Sequence, residues 1–181
     1  RYTDNPSELC SSLFNELHMR NIKRYYHVYT KGLEDDVIFR NRADFVAGMN
    51  YVPVSLKNAG VDVIVFVLMS NHFHFLVYAD KHSALKFIDS YKRLISRYVR
   101  NVYGTAKLLR AVETGCSEVD MNDEALKRLI AYILNNPVKA GINCFPQNYE
   151  WGSGKCYFSN FDYTRNSRPL SELGTRERRS L

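Results

Sequence analysis

The sequence lacks the cysteine patterns of a metal knuckle or a disulfide scaffold. Its 181 residues include only four cysteines, Cys10, Cys116, Cys144 and Cys156, and no two of them form a CxxC pair. A zinc knuckle or a redox dithiol is therefore not expected. Scattered cysteines without a secretory signal are typical of reduced thiols, so we expect a cytoplasmic protein.

Long hydrophobic runs are also missing. The longest purely apolar run, Val63 to Met69, is far shorter than the roughly 20 residues that cross a bilayer as a helix. The polar start, RYTDNPSELC, has no signal-peptide pattern. With 45% hydrophobic and 24% charged residues, the composition predicts one soluble, packed domain without a membrane partner.

Positive charge and tyrosine are present in excess. Lys and Arg number 25 against 19 Asp and Glu, a formal net charge of +6, which favours a polyanionic partner such as nucleic acid. The segment 86–110 contains seven basic residues and one acid, so it alone matches that excess. We predict phosphate contacts for its basic residues. They are Lys86, Lys92, Arg93, Arg97, Arg100, Lys107 and Arg110.

The pattern of apolar residues and turn signals predicts an α+β domain. Strands are expected at 24–30, 61–69 and 72–79, and helices at 6–18, 41–59, 83–103 and 123 to about 136. Pro53 is predicted to break the second helix and Ser83 to cap the third, and 104–121 has the composition of a linker. Strands joined by a hairpin and by helical crossovers favour a ferredoxin-like (RRM-like) antiparallel sheet with helices on one face.

Two histidines near the start of the third predicted strand are candidate metal ligands. His72 and His74 are two residues apart in HFHFLV, so in a strand they share one face, about 6.6 Å apart along the backbone. Two such imidazoles can converge on one ion, while the intervening apolar residues are buried. The alternative is a pair of ordinary surface histidines on an open sheet face.

A tyrosine and an asparagine on the last predicted helix form a second candidate group. Tyr132 and Asn136 are four residues apart and share a helix face, with Arg128 one turn earlier. Taken alone, Tyr132 could equally pack at the edge of the core and Asn136 could cap the helix.

Several motifs in the same order resemble the single-tyrosine HUH transposases, named for His-hydrophobic-His, and in particular the REP-associated tyrosine transposases. They are YHVYTKG at 26–32, VLMSNHFHFLV at 67–77, AYILNNPVKAGI at 131–142 and YEW at 149–151. The resemblance covers roughly 22–158, which predicts a transposase domain there. We expect a helical extension at 1–21 and a basic tail at 159–181.

The resemblance implies an RRM-like sheet and a DNA strand-transfer enzyme. Tyr132 would be the nucleophile, and His72, His74 and Asn136 would hold a divalent ion, Mg²⁺ or Mn²⁺. By the same pattern, Tyr98 and Tyr103 are weaker candidate nucleophiles, because neither has a metal-ligating residue four positions later. The implied substrate is single-stranded DNA beside a hairpin or palindromic repeat. The implied product is a covalent 5′-phosphotyrosine with a free 3′-OH, formed by a monomer or a homodimer. Arg128 joins the predicted nucleic-acid contacts.

Two other functions are also compatible with the sequence. The segment AKLLRAVETGCSEVD at 106–120 departs from the Trp-Gln-x-Arg-aromatic segment usual in these transposases. This departure favours a catalytically inactive, domesticated relative that only binds nucleic acid. The third possibility is an unrelated RRM-like RNA-binding module in which HFHF is a base-stacking strand, and it predicts that His72 and His74 share no metal.

Overall fold

The structure is a computed structural model that describes residues 22–32, 37–104 and 113–158. Its strands are β1 (Arg24–Thr30), β2 (Asp62–Leu68), β3 (Phe73–Ala79) and β4 (Thr114–Val119). Its helices are α1 (Arg42–Ala59), α2 (Lys81–Tyr103), α3 (Asp123–Leu134), α4 (Asn136–Lys139) and α5 (Gly154–Phe158), with a 3-10 turn at Pro146–Asn148. The predicted extension at 1–21, the tail at 159–181, Lys107 and Arg110 lie outside the described residues.

The four strands form one antiparallel sheet in the order β2-β3-β1-β4. With α1 between β1 and β2, and α2 between β3 and β4, this is the ferredoxin-like arrangement. The predicted α+β class and antiparallel sheet are therefore confirmed. The predicted linker at 104–121 is wrong in part, because Thr114–Val119 pair with β1. That sequence, TGCSEV, has little strand propensity of its own, so its pairing with β1 decides its conformation.

Helices α1 and α2 cover one face of the sheet. Alternate residues of β1 and β3 point into this main core and meet the apolar stripe of α2. Phe73, Phe75, Phe87, Ile88, Tyr91 and Ile95 are almost completely buried there. Tyr91 also donates a hydrogen bond from Oη to the carbonyl of Gly48 in α1, at 3.2 Å. This core leaves the even-numbered residues of β3, including His74, on the other face.

Helix α3 packs against that other face, over β2 and β3, so the prediction that the helices share one face holds for α1 and α2 and not for α3. Ile133 and Leu134 are buried against Val65, Val67 and Leu76 in a second, smaller apolar cluster. The helix begins at the expected cap, Asn122, whose side chain accepts a hydrogen bond from the backbone of Ala125. Its packing places its carboxyl end beside the start of β3.

Two predicted helix boundaries are wrong. Helix α1 runs through Pro53 and ends at Ala59, and the next residue, Gly60, has a φ of 68°, the left-handed conformation that glycine adopts readily. Burial of Val52 and Ser55 on both sides of the proline holds the helix together there. Helix α2 is capped by Asp80, whose side chain accepts from the backbone of Ser83, so Ser83 is not the cap itself.

The edge of the sheet at β2 is covered by the segment that includes YEW. Gly152 forms an isolated bridge with Val67, and Leu68 donates its backbone N–H to the Trp151 carbonyl at 2.8 Å. Tyr149 donates from Oη to the Leu68 carbonyl at 2.7 Å. Within the three described stretches, no helix combines the length and apolarity needed to cross a bilayer.

Candidate active site

The two histidines of HFHF meet at the start of β3. His72 directly precedes the strand and His74 is its second residue. Their rings are 5.0 Å apart between centroids and lie at 82° to each other. Since Phe73 and Phe75 point into the main core, the strand presents His74 to the face that carries α3.

Tyr132 and Asn136 reach the same place from the end of α3. The ring of Tyr132 is in an edge-on contact with the ring of His74, 5.4 Å between centroids. Asn136 brings Oδ1 to 3.4 Å from Nε2 of His72. The structure thus brings together the four residues predicted to act as one group, although they come from segments about 60 residues apart. Tyr132 is 40% exposed, so its side chain is accessible from solvent.

The surroundings of His72 test whether a cation fits this site. Its Nδ1 lies 2.7 Å from Oδ1 of Asn71, which can only accept, so Nδ1 carries a proton in this arrangement. Asn136 donates from Nδ2 to the Tyr132 carbonyl at 2.9 Å, which turns its Oδ1 toward His72. In a neutral imidazole, Nε2 then has a lone pair that faces a second acceptor.

Two hydrogen-bond acceptors that face each other repel, and a cation between them makes this arrangement favourable. Bonds of about 2.0–2.2 Å from one ion to both atoms fit the separation of 3.4 Å between Nε2 and Oδ1. The described residues contain no cluster of three or more His, Cys, Asp or Glu side chains suited to a metal. An ion here would therefore use two imidazoles and one amide oxygen, a mixed set that leaves positions open for phosphate and water.

A third histidine, which the sequence motifs did not single out as a site residue, contacts this group. His27 on β1 brings Nε2 to 3.1 Å from Nδ1 of His74, and the two rings stack at 24° with centroids 5.2 Å apart. Burial lowers the pKa of His27 to about 4. Burial, followed by repulsion from His72 and His27, lowers the pKa of His74 to about 3.

The pKa of His72 is also lowered by burial, and this effect is partly offset because a charged ring would donate a hydrogen bond from Nε2 to Oδ1 of Asn136. Burial thus favours the neutral form of all three imidazoles. A neutral imidazole is the form that binds metal ions, so no proton has to be displaced from a charged ring before an ion binds.

Positive charge lies next to the tyrosine. A surface groove of about 400 Å³ is lined by Arg128, Ala131, Tyr132, Asn135, Val138 and Lys139. The ammonium of Lys139 lies 4.9 Å from the centroid of the Tyr132 ring. Lys139 was not among the predicted contacts, because its position beside Tyr132 depends on α4, the short helix that follows α3 and has Pro137 in its first turn.

The basic residues of α2 lie elsewhere. Lys86, Arg93, Arg97 and Arg100 are exposed on the outer side of a helix that packs against the opposite face of the sheet. Lys92 donates a hydrogen bond from Nζ to Oγ1 of Thr114. The sheet and α2 separate these side chains from His74 and Tyr132, and their contacts with nucleic acid stay a prediction.

The two other candidate nucleophiles also lie away from the histidines. Tyr98 and Tyr103 both donate from Oη to the buried carboxylate of Asp44 on α1, at 2.8–2.9 Å. Burial and this carboxylate raise the pKa of Tyr98 to about 12. Because Asp44 disfavours a phenolate and the site lies across the sheet, both tyrosines have a structural role in this arrangement.

The fold is similar to that of a solved REP-associated tyrosine transposase bound to a REP hairpin. The TM-score is 0.57 with 13% sequence identity, over 85% of this chain and 88% of that chain. A proposed transposase from Deinococcus radiodurans also matches, with a TM-score of 0.44 and 14% identity, over 63% of this chain and 91% of that one. No protein-family model and no curated protein matches the sequence. The structural likeness confirms that this chain has a fold found in a tyrosine transposase, as the motifs predicted.

Proposed function

We propose that this protein is a single-stranded DNA transposase that cuts and rejoins DNA through a covalent bond to Tyr132. The observation that carries the proposal is the meeting of the Tyr132 ring with His74, 5.4 Å between centroids, on the same face as the His72–Asn136 contact. A tyrosine that only packs at the edge of the core does not require contacts with the rings of two neutral histidines, His27 and His74. The fold of a tyrosine transposase supports the same conclusion.

In the proposed reaction, Oη of Tyr132 attacks the phosphorus of a phosphodiester. The bond to the 3′ oxygen breaks, which leaves a free 3′-OH and a 5′-phosphotyrosine. The bond energy of the cut strand is kept in the covalent intermediate, so the reverse attack by a 3′-OH rejoins DNA without ATP. The phenol of Tyr132 must lose its proton during attack, and the Lys139 ammonium, 4.9 Å from the centroid of its ring, favours the negative charge that develops on the attacking oxygen.

His72, His74 and Asn136 are the residues that would hold a Mg²⁺ or Mn²⁺ ion. The chemistry that such an ion supplies is neutralisation of charge on a nonbridging phosphate oxygen and orientation of the phosphate for attack. Two imidazoles alone provide little affinity for these hard ions, so Asn136 is needed as the oxygen ligand.

The groove beside Tyr132 supports a strand of DNA as the substrate. Arg128 and Lys139 stand at a groove that also includes the exposed Tyr132 ring. Cations and an aromatic ring are the combination that binds phosphates and unpaired bases of a single strand. The similar transposase is bound to a REP hairpin, so we propose a single strand that carries a hairpin as the substrate of this protein.

A covalent-adduct assay tests the proposal. The protein is incubated with hairpin-bearing single-stranded DNA and Mn²⁺ and is then run on a denaturing gel. We expect a slow protein–DNA band for the wild type and for Tyr98→Phe, and no band for Tyr132→Phe or after EDTA. Tyr98→Phe is the matched control, because it removes a phenol on the opposite side of the sheet.

Two outcomes would count against the proposal in different ways. A band that persists in Tyr132→Phe would reject Tyr132 as the nucleophile. Salt-dependent DNA binding by the wild type, insensitive to EDTA and without any covalent band, would instead identify a relative that only binds nucleic acid.

A further inference from the structure

His27 and His74 are diagonal neighbours across two paired strands. The register between β1 and β3 pairs Tyr29 with His74, so His27 lies two residues away along the same face. The contact between Nε2 of His27 and Nδ1 of His74 is 3.1 Å long. The nearly parallel rings bring these nitrogens together from two strands whose spacing is fixed by the sheet.

The ring of His27 is held from its other side as well. Tyr29 stacks on it at 4.6 Å between centroids. The ring of Tyr29 in turn lies over Gly115 of β4, where a Cβ atom would come within 2.2 Å of Cζ of the tyrosine. Because Gly115 has no side chain, the Tyr29 ring can occupy this position, and Tyr29 in turn limits the orientations open to the ring of His27.

A hydrogen bond between two imidazoles requires one nitrogen to donate and the other to accept. When Nδ1 of His74 donates to His27, Nε2 of His74 keeps a free lone pair. When His27 donates instead, a neutral His74 carries its proton on Nε2 and is blocked as a ligand there. Partners of metal-binding histidines generally fix the tautomer and the ring orientation in this way.

We propose that His27 is a positioning residue that accepts a hydrogen bond from Nδ1 of His74 and so keeps Nε2 of His74 free for a divalent ion. The role of that ion rests on the function proposed above. The tautomer of His74, however, is a property of the metal-free protein and can be measured without metal, DNA or activity.

The first test is the ring nitrogen NMR spectrum of the metal-free protein in EDTA at pH 7. In the wild type we expect His74 protonated at Nδ1. In His27→Phe, which keeps an aromatic ring beside Tyr29 but has no acceptor, His74 should shift toward the form protonated at Nε2. A wild-type His74 already protonated at Nε2, or one with the same tautomer in both proteins, would overturn the proposal.

The second test is Mn²⁺ binding to the same proteins. We expect affinity to fall about 10- to 100-fold in His27→Phe, the usual cost of losing such a partner. His27→Gln, whose Oε1 can accept, should recover part of the loss and also serves if the phenylalanine variant does not fold. His82→Gln, a change at an exposed histidine of α2, should bind like the wild type.

The two tests separate the failure of this inference from the failure of the proposed function. If the wild type binds no Mn²⁺, the proposed metal site is wrong, whereas the NMR result still decides the role of His27. If the wild type binds Mn²⁺ and His27→Phe binds it equally well, His27 does not position His74.

Discussion

Acidification from pH 7 to pH 5 is expected to destabilise the metal-free protein through His27 and His74. The rings of both side chains contact Tyr132 of α3, and burial lowers their pKa values to about 4 and about 3 in the folded state. In the unfolded chain each returns to the ordinary value of about 6.5. Below that value the unfolded chain binds more protons than the folded one, so the free energy of unfolding falls as the pH falls.

The size of the effect follows from these pKa values. For a group that titrates at about 6.5 when unfolded and about 4 when folded, stability is fully present above pH 6.5 and is about 2 kcal/mol lower at pH 5. His74, with its pKa of about 3, loses a similar amount. Because the two rings touch, protonation of one disfavours protonation of the other, and the pair titrates as a unit.

The assay is urea unfolding at pH 7 and pH 5 in EDTA for the wild type, His27→Phe and His82→Gln. The variant without His27 should lose roughly 2 kcal/mol less than the wild type over this interval, whereas His82→Gln should lose as much as the wild type. Equal losses in the wild type and His27→Phe would show that folding does not hold His27 neutral.

Three further changes test other contacts. Gly115→Ala should lower the free energy of unfolding, measured by thermal unfolding, by roughly 1–3 kcal/mol, because the added Cβ clashes with Tyr29. Adding Tyr29→Ala should recover part of this loss, and an unchanged stability of the single variant would contradict the contact. Ser55→Ala should raise the free energy of unfolding, measured with urea, by roughly 1 kcal/mol, since no described residue forms a hydrogen bond with the buried Oγ of Ser55. A decrease would show that this Oγ has a hydrogen-bond partner. Tyr98→Phe should lower the free energy of unfolding by roughly 1.5–3 kcal/mol, because it removes the hydrogen bond to the Asp44 carboxylate, and the variant should still form the DNA adduct.

Elements with strong local signals were predictable from the sequence. The apolar run before Ser70 and the alternation after it fix β2, β3 and their hairpin, because strand periodicity is a local property. The apolar stripe of α2 and the cap at Asn122 are equally local.

Elements fixed by distant contacts were not predictable in the same way. Strand β4 depends on pairing with β1, and the continuity of α1 through Pro53 depends on burial along both sides of the proline. The motifs also could not show that α3 crosses to the face opposite α1 and α2, since helix periodicity identifies a buried stripe and not the surface that buries it.

The candidate site shows the same division. The spacing of His72 with His74, and of Tyr132 with Asn136, indicated two groups, and the resemblance joined them into one site. The contact of His27 with His74 was not predicted, because it follows from the register between β1 and β3. His27 belongs to the YHVYTKG motif and alternates with tyrosines on its strand, but neither signal assigned it a role at the site.

Peptide mapping of a covalent adduct identifies the nucleophilic tyrosine directly. Trypsin cleaves after Arg128 and Lys139, and the resulting peptide LIAYILNNPVK contains one tyrosine, Tyr132. After reaction of the wild-type protein with hairpin-bearing single-stranded DNA and Mn²⁺, followed by nuclease digestion, we predict a nucleotide-mass increase on this peptide at Tyr132. A nucleotide on the peptides that contain Tyr98 or Tyr103, with none on Tyr132, would show that Tyr132 is not the nucleophile.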